Sequence, residues 1–140
     1  GGLVSQAFIN RHPAGSADYL KLFVTLATPW GGHSAASMGV KYSPAVIPVW
    51  RDMDPASKFL KRLREKQLPS HLPHHLLFAY KGSEFKSSGA NDGVVTVSSQ
   101  REPTALGRAK KVYGFSSGHR EILSNKKILR LLAGIFEPAD

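Results

Sequence analysis

Residues 20–33 read LKLFVTLATPWGGH, and this stretch decides the fold of the chain. Residues 20–27 are almost continuously apolar or β-branched, which is typical of a parallel strand buried on both faces. The proline and paired glycines that follow predict a sharp exit from the sheet at the carboxyl end of the strand. Ligands of α/β folds bind at that edge, so we expect the functional site there.

Further apolar runs predict the other elements of the sheet and its covering helices. Strands are expected at residues 76–80 and 111–115, and helices over residues 1–12, 55–67 and 122–136, where apolar residues recur at helical spacing. Strands that alternate with helices imply right-handed crossovers and a mostly parallel sheet flanked by helices. The sequence therefore predicts an α/β fold.

Residues 34–54 lie between the first strand and the next helix and lack a clean period. We expect them to form either a lid over the site or a packed, irregular surface loop with a short helix. Asp54 followed by Pro55 predicts that the next helix has Asp54 as its N-cap and proline at its first position.

Two polar segments follow the second and third predicted strands. Residues 91–95 read NDGVV, and Gly118-His119 comes directly before the last helix. A carboxylate behind an imidazole fixes the tautomer of the ring and stabilises the cation that forms when the ring accepts a proton. Both segments are loops that follow strands, so Asp92 and His119 can converge on one edge of the sheet, although Asp92 by itself also fits a turn residue before Gly93.

Four segments, in order, resemble the C-terminal half of an α/β-hydrolase of the lipase and esterase kind. They are residues 1–4 (GGLV), residues 25–32 (TLATPWGG), residues 91–100 (NDGVVTVSSQ) and Gly118-His119. The first resembles the tail of the nucleophile elbow G-x-S-x-G, and the second resembles the strand after the elbow helix. The last two resemble the acid loop and the histidine loop. The resemblance implies a serine hydrolase that cleaves carboxylic esters, including lipid esters, with Asp92 and His119 as catalytic residues.

The resemblance also implies that part of the domain precedes this chain. The nucleophilic serine would lie two residues before Gly1, so that Gly1 and Gly2 are the remnant of the elbow and residues 1–140 are the C-terminal portion of one domain. A parallel sheet of three strands with apolar faces would leave an unprotected edge. We therefore expect a missing N-terminal half as the partner, and we expect the chain to be inactive without it.

Aromatic residues and histidines raise two further site questions. Trp30 and Trp50 lie on predicted loops at the site edge, where they would either line a substrate pocket or cap the sheet. His74 and His75 are adjacent in front of a predicted strand, so their side chains point to opposite faces, and no carboxylate cluster accompanies them. We expect no metal and no cofactor.

Composition narrows the remaining function classes. The 140 residues include no cysteine, which excludes disulfides, thiolate metal sites and cysteine nucleophiles, and no apolar run approaches the length of a membrane span. The net charge is +9, and the densest basic group, at residues 58–66, is interleaved with apolar residues at helical spacing. That pattern is typical of a solvated helix face, so nucleic acid is not an expected partner.

Three alternatives to ester hydrolysis stay open at this point. An acyltransferase would resolve the same acyl-enzyme with an alcohol instead of water. A basic binding module would recognise nucleic acid or anionic lipid through charge, with binding that weakens steeply with salt. A domain that keeps the fold without the serine would be a non-catalytic scaffold, because a fold does not by itself determine a function.

Overall fold

The computed structural model describes residues 1–12, 18–42, 48–83, 85–87 and 89–137. Three strands in this part of the chain form one parallel sheet in the order β1-β2-β3. The strands are β1 (Phe23–Leu26), β2 (His74–Tyr80) and β3 (Lys111–Ser116). The α/β fold with a parallel sheet that the sequence predicts is confirmed.

Helices flank the sheet. They are α1 (Gly2–Arg11), α2 (Ser34–Tyr42), α3 (Pro48–Met53), α4 (Lys58–Glu65), α5 (Val97–Gln100), α6 (Pro103–Arg108) and α7 (Lys126–Phe136), with a 3₁₀ helix (Glu121–Leu123) before α7. Helices α2 to α4 connect β1 with β2, and α5 and α6 connect β2 with β3. The sequence prediction did not include α5 and α6, although Glu102-Pro103 carries a start signal, since Glu102 caps α6 and Pro103 is in its first turn.

Residues 34–54 are more regular than expected, because most of them lie in α2 and α3. The link between the two helices, residues 43–47, is outside the described residues. The assignment of this segment as a lid stays a prediction.

Helix α4 begins later than the sequence predicts because its N-cap is Ser57 and not Asp54. The hydroxyl of Ser57 accepts a hydrogen bond from the amide of Leu60 at 3.2 Å. The carboxylate of Asp54 instead accepts from the amide of Ala56 at 2.9 Å, within the preceding turn. Pro55 therefore lies in that turn and not in the helix.

The closing apolar segment is divided into two helices where the sequence predicts one. The side chain of Asn125 accepts a hydrogen bond from the amide of Lys127 at 2.9 Å and starts α7 after the 3₁₀ helix. Ile122 and Ile128, on either side of this interruption, are buried, whereas Leu123 is 67% exposed.

Alternation along β2 divides the hydrophobic core between the two faces of the sheet. Leu76 and Phe78 belong to the larger cluster, which also includes residues of α1, α4, α5 and α6. Leu77 and Ala79 belong to the smaller cluster, with residues of the 3₁₀ helix and α7. Burial of β2 on both faces is what its continuous apolar run predicts.

A histidine lies in the larger cluster at the start of β2. His74 is 2% exposed, its ring stacks on Phe23 at a centroid distance of 4.9 Å, and its Nε2 is 2.8 Å from the hydroxyl of Thr25. Burial, helped by the charges of His75 and Arg108, lowers the pKa of His74 to about 4. The ring is therefore neutral and serves as a core residue at neutral pH.

The packing of α4 predicts a large loss of stability for one core truncation. Leu60 is 0% exposed, so Leu60→Ala leaves a cavity and should lower the free energy of unfolding by about 2–5 kcal/mol. Leu123→Ala is the matched control, because the same atoms are removed from a side chain in solvent, and its effect should stay within about 0.5 kcal/mol. Urea denaturation measures both values, and equal losses would contradict the core assignment.

The buried His74 predicts that stability falls in mild acid. The unfolded chain protonates this residue near its ordinary pKa of 6.5, but the folded chain does so only near 4. Between these values the unfolded state binds more protons, so lowering the pH from 6.5 to 4 should remove about 1–3 kcal/mol of stability. His74→Phe, which keeps an aromatic ring on Phe23, should lack this component in urea denaturation at pH 7 and pH 4.5. The same pH dependence in both proteins would show that His74 is not its source.

Candidate functional site

The loop that follows β2 places Asp92 at the carboxyl edge of the sheet. The amide of Lys81 donates to the carbonyl of Asn91 at 2.8 Å, and an isolated antiparallel bridge pairs Asn91 with Thr96. Gly93, at the tip of this loop, has a φ of 96°, in the left-handed region that favours glycine. Residues 91–93 thus form a tight turn, which directs the side chain of Asp92 into the protein.

The carboxylate of Asp92 is buried, with the residue 1% exposed. Its Oδ1 accepts hydrogen bonds from the amides of Val94 at 2.9 Å and Val95 at 2.7 Å. Its Oδ2 lies 3.1 Å from Nε2 of Gln100 and 2.7 Å from Nδ1 of His119. Four donors therefore replace the hydration that burial removes, and together they hold the carboxylate in one orientation.

His119 is bound to Asp92 twice. Its backbone amide donates to the carbonyl of Asp92 at 2.9 Å, in addition to the contact between Nδ1 and Oδ2. In the neutral ring the Nδ1 that faces the carboxylate carries the proton, which leaves Nε2 as the basic nitrogen. The His119 side chain is 32% exposed while that of Asp92 is 0% exposed. The buried group can thus orient the ring, and the accessible ring can exchange a proton.

Parallel pairing brings the two loops together. The amide of Ser117, which follows β3, donates to the carbonyl of Tyr80 at the end of β2 at 2.9 Å. The histidine loop therefore starts beside the end of the neighbouring strand, from which the acid loop also starts. Contact between Asp92 and His119 follows from two adjacent strands that end at the same edge.

A groove of about 490 Å³ runs along the outer edge of β1. Its lining includes residues 23–29, His119 and, from the start of α1, Gly1 and Gly2. A side chain at position 2 would collide with the side chain of Thr28, so glycine is needed for the close approach of α1 to the end of β1. The structure thus brings Gly1, Gly2 and His119, which are far apart in sequence, to one groove.

Neither tryptophan lines this groove. Trp30 is 5% exposed and packs in the larger core cluster, with ring centroids 6.4 Å from Phe23 and 5.7 Å from His74. It therefore takes the structural position that the sequence left as the alternative, as a residue that packs on the sheet. Trp50 is half-buried on α3, and its assignment to a substrate pocket receives no support from the groove.

The described residues contain neither a cluster of metal ligands nor a membrane-spanning helix. There, no three His, Asp or Glu side chains gather closely enough to hold a metal ion. His74 lies in the core against Thr25, whereas the ring of His75 is 6.1 Å from that of Tyr113. None of the helices in this part of the chain is long and apolar enough to cross a membrane.

The sequence prediction missed Gln100, which contacts Asp92 directly. Gln100 is the last residue of α5, a helix whose N-cap is Thr96, with a hydroxyl that accepts from the amide of Ser99 at 3.2 Å. A threonine followed by a helical turn is a start signal that the sequence does contain. It does not reveal that the amide four residues later points at the carboxylate.

Comparison with known proteins adds one structural likeness. The crystal structure of the product of gene lin2722 from Listeria innocua is similar to this chain with a TM-score of 0.65 at 14% sequence identity. The alignment covers 100% of this chain and 55% of that chain, so the chain spans about half the length of that protein. No protein-family model and no curated protein matches the chain. At this identity the likeness concerns the fold alone.

The hydrogen bonds of Asp92 predict a tautomer change in Asp92→Asn. The amide oxygen should still accept from Val94 and Val95, which places the amide nitrogen, a donor, opposite Nδ1 of His119. The ring should then shift its proton to Nε2 so that Nδ1 can accept. The ¹⁵N shifts of the ring nitrogens measure this change, and Asp54→Asn, which alters a carboxylate in a surface turn, should leave them as in the parent chain. A ring that keeps its proton on Nδ1 in Asp92→Asn would contradict the assignment.

Proposed function

We propose that this chain supplies the acid and the base of a serine hydrolase of the α/β-hydrolase kind, which cleaves carboxylic esters through an acyl-enzyme. The nucleophilic serine is proposed to lie two residues before Gly1. One observation carries the proposal: His119, held by the buried carboxylate of Asp92, lines the same groove as Gly1 and Gly2. Because these glycines resemble the end of a nucleophile elbow, the serine proposed upstream of them would lie at this groove.

The proposed reaction uses the free ring nitrogen of His119. The serine oxygen attacks the ester carbonyl carbon while the serine proton moves to Nε2, and Asp92 stabilises the imidazolium that results. The imidazolium then protonates the departing alcohol, which leaves an acyl-serine. Water attacks the acyl carbon and gives a proton to Nε2, and the serine recovers that proton as the carboxylic acid leaves.

The start of α1 suits the negative charge that develops during this reaction. Gly1 is the N-cap of α1, and the first turn of the helix contains no acidic residue. The positive end of the helix dipole therefore faces the groove without a neighbouring carboxylate to oppose it. The hydrogen-bond donors of the oxyanion hole are proposed to come from residues that precede Gly1.

The outer edge of β1 is the proposed contact with the rest of the domain. β1 pairs with β2 on one side, and no described strand pairs with its other side. Phe23 and Thr25 of this strand are buried although it lies at the edge of the sheet. We propose that an N-terminal half of the same domain adds a strand here, because a strand that ends beside Gly1 would bring the serine to the groove.

The proposal predicts activity in a longer protein that includes the residues upstream of Gly1. A fluorophosphonate probe should label a serine two residues before Gly1, and p-nitrophenyl esters should be hydrolysed. His119→Ala should lower kcat by about 10⁴-fold or more, because the serine then lacks its base. The matched control is His71→Ala, which removes a 44% exposed histidine near Asp18 and should leave kcat within about twofold.

Three results would refute the proposal. One is full activity of His119→Ala in the longer protein. Another is a probe-labelled residue elsewhere, such as Ser5, whose hydroxyl lines the groove but donates to the carbonyl of Gly1 at 3.2 Å. The third is ester hydrolysis by residues 1–140 alone at a rate well above that of free imidazole, since this chain is expected to lack the nucleophile.

A further inference from the structure

Gln100 is buried at the end of α5 and is 1% exposed. Its Oε1 accepts a hydrogen bond from the amide of Ala79 at 2.8 Å. Its Nε2 lies 3.0 Å from the carbonyl of Ala79, 3.1 Å from the carbonyl of Val95 and 3.1 Å from Oδ2 of Asp92. Only the oxygen can accept from the Ala79 amide, so these neighbours determine which way the side-chain amide points.

The side-chain amide of Gln100 takes the place of a neighbouring strand just beyond the end of β1. The amide of Ala27, the residue after β1, donates to the carbonyl of Leu77 in β2 at 2.9 Å. Two residues further along β2, Gln100 pairs with both the amide and the carbonyl of Ala79, as a neighbouring strand would. The side chain is therefore attached to β2, the middle strand of the described sheet.

The same Nε2 atom also contacts Asp92, so the position of Gln100 restricts the position of the carboxylate. Gln100 donates to Oδ2, the same carboxylate oxygen that His119 contacts, whereas the amides of Val94 and Val95 hold Oδ1. Among the described residues, Gln100 is the only partner of Oδ2 besides His119. The position of Oδ2, and with it the orientation of the imidazole, thus depends on a side chain that cannot move without breaking the pairing with Ala79.

We propose that Gln100 is a positioning residue, which aligns the carboxylate of Asp92 with Nδ1 of His119 by linking it to β2. This inference rests on the proposed function for its catalytic meaning. It does not require the nucleophile, because the contact between Asp92 and His119 lies within this chain and can be measured there.

The test compares two glutamine-to-methionine variants of the 140-residue chain by NMR. Gln100→Met keeps the length of the side chain and removes its donor, so exchange of the His119 Nδ1 proton with water should become about tenfold faster, the equivalent of one hydrogen bond of about 1.4 kcal/mol. Gln6→Met is the matched control. Gln6 is also buried, at 3% exposed, but its Nε2 donates to the carbonyl of Leu63 at 2.9 Å. This control should lose comparable stability in urea denaturation and leave the His119 proton unchanged.

A second variant decides the question if Gln100→Met does not fold. Gln100→Glu retains an acceptor for the amide of Ala79 and places a second carboxyl group beside Asp92. The donor to Oδ2 is thereby replaced by a second carboxyl oxygen, so the ¹⁵N shifts of the His119 ring should differ from those of the parent chain. An exchange rate within twofold of the parent chain in Gln100→Met, or unchanged ring ¹⁵N shifts of His119 in Gln100→Glu, would overturn the role of Gln100. Retained ester hydrolysis in His119→Ala would overturn the catalytic role of the pair and leave the NMR result on Gln100 intact.

Discussion

The parallel pairing of β2 with a strand on each side is the constraint on which the rest of the molecule depends. The carboxyl end of β2 lies at the same edge of the sheet as those of β1 and β3, so the loops that follow the three strands are neighbours. The acid loop follows β2 and the histidine loop follows β3, and the two are joined by a backbone hydrogen bond as well as by their side chains. The geometry of Asp92 and His119 is thus a consequence of strand order.

Buried polar groups connect this edge to the stability of the fold. Asp92 and Gln100 are each 1% exposed, and each makes hydrogen bonds to backbone as well as to the other. Unpaired, such groups would destabilise the folded state by several kcal/mol, since they would have lost water without replacement. The contacts that complete the sheet at Ala79 therefore also keep the acid in place, so that stability and orientation are not independent here.

The outer side of β1 differs from this buried network. The groove along it is open and is lined by both polar and apolar residues. The groove there joins strand backbone, the glycines at the start of α1 and the ring of His119. Leu123 also lines it and is 67% exposed. An exposed apolar side chain beside a strand edge with which no described strand pairs favours a further packed element, which agrees with the strand proposed to bring the serine.

The sequence by itself determined the three strands, the α/β class and the order of an acidic and a histidine loop, because continuous apolar runs and turn residues act through local geometry. It did not determine that Ser57 caps α4, that Asn125 divides the last apolar segment, or that Trp30 enters the core. Nor did it indicate Gln100. Each of these depends on which donors and surfaces come within a few ångströms of one another after folding. Only the tertiary structure decided those distances, because they join residues from separate elements whose relative positions no local pattern encodes.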